Sequence, residues 1–267
     1  MGYSMSGPGD TVTVTPTARA NLSAALDVAR VYKSFGGLQA VRDVSFKVHS
    51  NEIVGLIGPN GSGKTTVLNL IAGYYRPDAG RIICLGRDTV GLSAHQVARL
   101  GLLRAWQDPR VAATLTVREN IALGALAQGH GLPIGRRDLT TGIRSGLVKS
   151  LLDQFRLVDV ADEVAGTLAY GRQKIVALAR TFAATPRILV LDEPLAGLSR
   201  ADFDFVISII KGFRSEGAVL IVDHAFGAIS KLCDRVVVLN TGMKLIEGTP
   251  SVVASNGEVR EVYFGHR

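Results

Sequence analysis

"EIVGLIGPNGSGKTTVLNLI", residues 52–71, decides the fold. Its first part, Glu52 to Gly58, is an apolar run closed by glycine, the pattern of a strand buried on both faces. Its last part sets Val67, Leu68 and Ile71 at helical spacing. Between them, Gly58 to Thr65 fits G-x-x-x-x-G-K-[ST] in the context that motif requires, after a strand and before a helix. The glycines let the loop turn its amides inward, so backbone N–H groups and the helix N-terminus face an anion. Lys64 then reaches the β- and γ-phosphates of a nucleoside triphosphate, and the Thr65 hydroxyl is free for Mg²⁺. Gly58, Pro59, Asn60, Gly61, Ser62, Gly63, Lys64, Thr65 and Thr66 form the expected nucleotide-binding loop.

Further apolar strand runs recur at "RILVLD" (187–192), "AVLIVD" (218–223) and "RVVVLN" (235–240). Helix-period residues lie between them, such as Val206, Ile209, Ile210 and Phe213. Alternation of this kind argues for an α/β fold with a mainly parallel sheet wrapped by helices. "VSFKVHS" (44–50) alternates apolar and polar residues as a half-buried strand does. Residues 88 to 183 carry helical periodicity and few strand signals, with a glycine-rich break at 124–137, and read as an inserted helical subdomain. Residues 1–25 are small, polar and aperiodic and read as a disordered tail, leaving 26–267 as one domain.

At 47% hydrophobic and 20% charged residues, the chain has the composition of a protein with a sizeable core. No apolar run approaches the ~20 residues needed to cross a bilayer, and no secretory leader is visible, so a cytosolic location is expected. Two distant cysteines, Cys84 and Cys233, each inside an apolar, strand-like run, suit neither a disulfide framework nor a metal site and read as buried thiols. A formal charge of +7 suggests anionic partners. The arginines, however, form no aromatic-interleaved patch, which argues against nucleic acid.

"ILVLDEP" (188–194) ends a buried strand in two acids. Asp192 is expected to hold Mg²⁺, directly or through water, and Glu193 to polarise an attacking water. In isolation the pair also fits two solvated loop acids.

These motifs, with "LAYGRQ" (168–173) between them, resemble the nucleotide-binding subunits of ATP-binding cassette (ABC) transporters. The resemblance implies a P-loop NTPase fold with an antiparallel N-terminal β region, a mainly parallel core sheet and the helical subdomain. It implies ATP and Mg²⁺ as cofactors. Leu168, Ala169, Tyr170, Gly171, Arg172 and Gln173 stand where the family carries its LSGGQ-like signature, a helix N-terminus that faces the γ-phosphate held by the opposite subunit. Gly171 would let backbone approach closely, and Ile175, Leu178, Ala179 and Phe182 mark the buried face of that helix. Alanine at 169 departs from the family's serine.

Other positions follow from the same resemblance. Gln107 in "RAWQDPR" matches the glutamine loop, which implies a catalytic role and a place at Mg²⁺ with Thr65 and Asp192; a solvated loop amide is its alternative. His224 in "LIVDHAF" matches the switch histidine, where taken alone a structural histidine would be read. "LAGLS" (195–199) matches the D-loop. Phe35 matches the aromatic that stacks on adenine, with Tyr32 as a rival and core packing open to both.

"FGGLQAV", "GPNGSGKTT", "LTVRENIALG" and "EGTPSVVASNGEVREVYFG" resemble the subunits of branched-chain amino-acid importers. That resemblance implies transmembrane permease subunits, a second ATPase subunit and an extracytoplasmic solute-binding protein as partners. It implies a peripheral place on the cytoplasmic face of the membrane. An exporter or lipid-transport ATPase, or a soluble cassette acting on nucleic acid, remain the alternatives.

Overall fold

The computed structural model of the chain describes residues 24–126 and 146–264. Ten strands form two sheets among these residues. The first is antiparallel: β2 (Leu38–His49), β1 (Ala24–Phe35), β4 (Ala79–Cys84) and β5 (Arg87–Asp88), in that spatial order. The second has the order β10 (Met243–Gly248), β9 (Arg235–Asn240), β3 (Ile53–Ile57), β8 (Ala218–Val222), β7 (Ile188–Asp192) and β6 (Leu102–Ala105). All its neighbours run parallel except the β9–β10 hairpin. The α/β reading with an antiparallel N-terminal region is borne out.

The continuous apolar runs have a direct cause: the second sheet is covered on both faces. Ile53 and Ile57 of β3 join one core cluster, while Val54 and Leu56 join the other. The first cluster packs against α3 (Val117–Leu126), α4 (Gly146–Gln154), α5 (Tyr170–Ala183), α6 (Arg200–Phe213) and α7 (Phe226–Leu232). The second lies between the two sheets and includes the buried side of α1 (Lys64–Ile71). In β2, Val44, Phe46 and Val48 are buried while Lys47 is exposed, as alternation predicts for a strand with one face on the core.

Four expectations need correction. Strand β1 begins at Ala24 and buries Ala25, so residues 24 and 25 do not belong to a tail; 1–23 lie outside the described residues. Strand β6 falls inside the expected helical subdomain and pairs with β7 at the edge of the core sheet. Four residues ending in Arg104 and Ala105 are too few to show a period, which hid it. Helix α5 has no single buried face: every residue from Lys174 to Ala179 is buried, because the core sheet side and α3 enclose it. Cys233 follows α7 as its cap rather than lying in a strand. Of the glycine-rich break, 127–137 lie outside the described residues.

Both cysteines are buried and free, and burial pushes the Cys84 thiol up to about 11. Among the described residues, no helix is long and apolar enough to cross a membrane.

Candidate functional site

Because β3, β6, β7 and β8 run parallel, the turns that follow them emerge at one edge of the sheet. The turn after β3 is Gly58–Gly63, that after β6 holds Gln107, that after β7 begins with Glu193, and that after β8 holds His224. Together they line a cleft of about 740 Å³.

The phosphate loop has the conformation its glycines permit. Gly58 and Gly63 have φ of 152° and 98°, and a Cβ at Gly58 would collide with the Leu239 carbonyl and the Ser62 hydroxyl. The β9–β10 turn holds the loop from outside, with Gly242 N–H donating to Ser62 O (3.2 Å). Lys64 is buried, and its Nζ donates to Gly58 O and Pro59 O at 2.8 and 2.9 Å, so the ammonium spans the loop's own carbonyls. Burial lowers its pKa, and Glu193 and Asp192 counter that shift.

Asp192 at the end of β7 forms a buried ion pair with Arg104 Nη2 at 2.6 Å. Arg104 also donates to Asn69 Oδ1 of α1 at 2.6 Å and stacks on Trp106 at 3.9 Å. Glu193 takes the left-handed backbone region, φ 47°, and its N–H donates to Val222 O of β8 at 2.8 Å. Both of its carboxylate oxygens are engaged. Gln107 Nε2 donates to Oε2 at 2.7 Å, and His224 Nε2 lies 2.6 Å from Oε1. Next to His224, burial raises the pKa of Asp223, with the Glu193 charge adding to it.

Phe35, Asn60, Gly61, Gly63, Lys64, Thr65, Thr66, Gln107, Asp192, Glu193 and His224 thus line one cleft, while Gly58, Pro59 and Ser62 of the same loop are not among its lining residues. Phe35 reaches it and Tyr32 does not; Phe35 meets the Tyr75 ring edge-on at 5.2 Å. The signature residues lie apart from the cleft. Ala169 is the N-cap of α5 and supplies no side-chain cap. Tyr170 is half exposed, and its hydroxyl donates to Gln107 O at 3.2 Å. Gln173 Nε2 folds back on Leu168 O (2.8 Å), and Arg172 pairs with Asp159 (2.8 Å). A Cβ at Gly171 would meet nothing nearer than 3.6 Å, so no contact within the chain demands glycine there.

Sequence reasoning missed Arg104, Lys174, Asp223 and Tyr263. Tyr263 donates to His224 O at 2.9 Å. Lys174 reaches Glu193 O and Ala196 O. A lysine or arginine in such a stretch reads as solvated by default, and only three-dimensional burial marks these two as different.

The donor set fits a nucleoside triphosphate with Mg²⁺. A glycine cradle, a buried lysine and a helix N-terminus suit phosphates. Among the described residues no group of three or more His, Cys, Asp or Glu could hold a metal alone. One carboxylate and one hydroxyl, Asp192 and Thr65, match a cation that takes its other oxygens from phosphate and water.

Fold and cleft define a phosphate-loop ATPase domain. A family model described as ABC transporter matches residues 41–196. The high-affinity branched-chain amino acid transport ATP-binding protein BraF of Pseudomonas aeruginosa is 36% identical over 258 residues, 90% of this chain and 97% of BraF. The lipopolysaccharide export system ATP-binding protein LptB of Haemophilus influenzae is 35% identical over 243 residues, 91% of this chain and 98% of LptB. An ATP-binding cassette of an ABC transporter in its ADP conformation superposes with a TM-score of 0.78 at 26% identity, covering 91% of this chain and all of that one. The chain belongs to the ABC transporter ATP-binding family and is an ATPase.

Proposed function

We propose that the chain is the ATP-hydrolysing, energy-coupling subunit of a membrane importer for branched-chain amino acids or a related small polar solute. Its similarity to BraF over nearly the whole chain supports that solute class. A lipid-export role is the second reading, favoured by similarity to LptB at almost the same identity. The expected partners are a permease pair, a second ATPase subunit, identical or not, and a solute-binding protein that acts through the assembled complex. Peripheral attachment to the cytoplasmic face of the membrane follows from those partners. Nucleic acid is not among them.

One observation carries the reading of the site: the Glu193 carboxylate is held between Gln107 and His224 at the mouth of the phosphate loop. Lys64 and the loop amides bind the β- and γ-phosphates of ATP, and Phe35 offers its ring to the base. Thr65 and Asp192 would hold Mg²⁺, with Gln107 nearby; the ion supplies charge neutralisation at the phosphates. Asp192, paired with Arg104 in this structure, would supply the carboxylate. Glu193 orients a water for in-line attack on the γ-phosphorus and takes its proton while the bond to the ADP oxygen breaks. His224 and Gln107 keep the carboxylate aimed. Leu168 to Gln173 present the N-terminus of α5 to the nucleotide of the partner subunit, which explains a glycine at 171 that this chain does not itself require.

The test is Glu193→Gln. The variant should bind ATP normally, hydrolyse it about 10²- to 10⁴-fold more slowly, and form an ATP-dependent subunit pair that persists on size-exclusion chromatography. Turnover at the unmodified rate would place the catalytic group elsewhere.

A further inference from the structure

Lys174 lies in the first turns of α5, where the neighbouring signature residues face outward. It is nevertheless buried, 7% exposed, as is every residue of α5 from 174 to 179. Its Nζ donates to two backbone carbonyls of another segment, Glu193 O at 2.7 Å and Ala196 O at 2.8 Å. Its ammonium also stands 5.7 Å from the centroid of the Tyr170 ring.

Glu193 is held in a conformation that it does not favour. A non-glycine residue at φ 47° sits in a disfavoured backbone region and persists only where its surroundings over-determine it. Two kinds of contact do so here. Gln107 and His224, which both line the cleft, hold the carboxylate. The peptide groups are held separately: Val222 O takes the N–H, and Lys174 takes the carbonyl. Lys174 and the β8 contact therefore fix the turn from which the carboxylate projects, whatever occupies the cleft. The same ammonium fixes Ala196, three residues further into the loop leading to α6.

We propose that Lys174 is a positioning residue for hydrolysis, tying the signature end of α5 to the turn that aims Glu193. The proposal rests on the reading of Glu193 as the residue that orients the attacking water. A single ammonium then links the part of the chain directed at the partner's nucleotide to the carboxylate acting on its own. A displacement of α5 is transmitted to the Glu193 carbonyl without passing through the nucleotide.

Lys174→Met in the full chain keeps length and removes the donors. It should lower kcat about 10- to 100-fold, the scale expected of a small misplacement of a catalytic group, while the ATP Kd and KM stay within about twofold. Lys174→Arg, which can span both carbonyls, should recover most of the rate. The discriminating measurement is a double-mutant cycle with Glu193→Gln: if Lys174 acts through Glu193, adding Lys174→Met should cost little more. Losses that multiply in full, a KM change at intact kcat, or wild-type kcat in Lys174→Met would each overturn the proposal. Should Lys174→Met melt below the assay temperature, Lys174→Gln carries the comparison, and failure of both to fold would leave only a structural role and overturn it. Normal turnover in Glu193→Gln alone is a different outcome. It removes the reading of the site and is read independently of the lysine.

Discussion

The cleft and the signature end of α5 were equally conspicuous as motifs, yet the fold treats them in opposite ways. Three charged residues of the cleft are engaged inside the chain: Lys64 by loop carbonyls, Asp192 by Arg104, and Glu193 by Gln107, His224, Lys174 and the Val222 carbonyl. At the signature, Ala169 caps nothing, Tyr170 stands half exposed, and Gly171 has ordinary room for a side chain. A motif that the chain satisfies by itself can be checked against its own geometry. One that answers a second subunit shows up as sequence without internal cause.

The sharpest break in that contrast is Lys64→Ala. Removing the ammonium should weaken ATP binding by about 1.5–3 kcal/mol, roughly 10- to 150-fold, and abolish hydrolysis. Equilibrium ATP titration and phosphate release measure both, and unchanged values would show that the cleft does not work as described.

Glu52→Gln separates fold from site. Glu52 is buried and accepts from His49 N–H at 2.8 Å and from Arg235 at 3.0 and 3.1 Å. Burial alone would raise this carboxyl, but the bonds to Arg235 and His49 hold it below its ordinary value of 4.5. A depressed acid stabilises the folded state above its unfolded pKa, and the gain is lost as pH falls through the folded value. Breaking such a pair should cost about 3 kcal/mol at pH 7, seen in denaturant unfolding, with ATP affinity unchanged. The deficit should shrink as pH falls below about 4.5, where the carboxyl of the unfolded chain takes up its proton before that of the folded one. A deficit constant down to pH 3 would remove the ion pair as its cause.

The smallest effect is expected from Ala169→Ser. A serine at the N-cap should stabilise α5 by about 1 kcal/mol, visible as a modest rise in Tm. In the assembled transporter it should speed only the site closed by this chain's signature, which belongs to the partner, and leave the Lys64 site alone. Single-turnover hydrolysis at each site distinguishes this from a uniform change.

The sequence made the central sheet legible because strands buried on both faces have no choice but to be apolar, as β3 and β8 are throughout and β7 and β9 are apart from their polar ends. It made the cleft legible for a related reason, since the turns after parallel strands share an edge. Edge elements were less readable: β6 is four residues with an arginine among them, and β1 begins two residues inside the expected tail. Lys174 was invisible for a physical reason. Its neighbours Arg172 and Gln173 look alike in sequence, and only the enclosure of α5 gives its charge two carbonyls rather than water.

The strand order also sets a timetable. Strand β3, which carries the phosphate loop, is complete by Ile57, but its two neighbours end at Val222 and Asn240. At about 5–20 residues per second, a ribosome takes on the order of ten seconds or more to supply them. Meanwhile β1 and β2, adjacent in sequence and paired in space, have all they need to form. An interrupted chain therefore displays an antiparallel hairpin and an unpaired apolar strand, never half of an ATP site. The nucleotide cleft closes only once Asn240 has left the tunnel, so the energy-converting part of this molecule is completed long after its N-terminal hairpin.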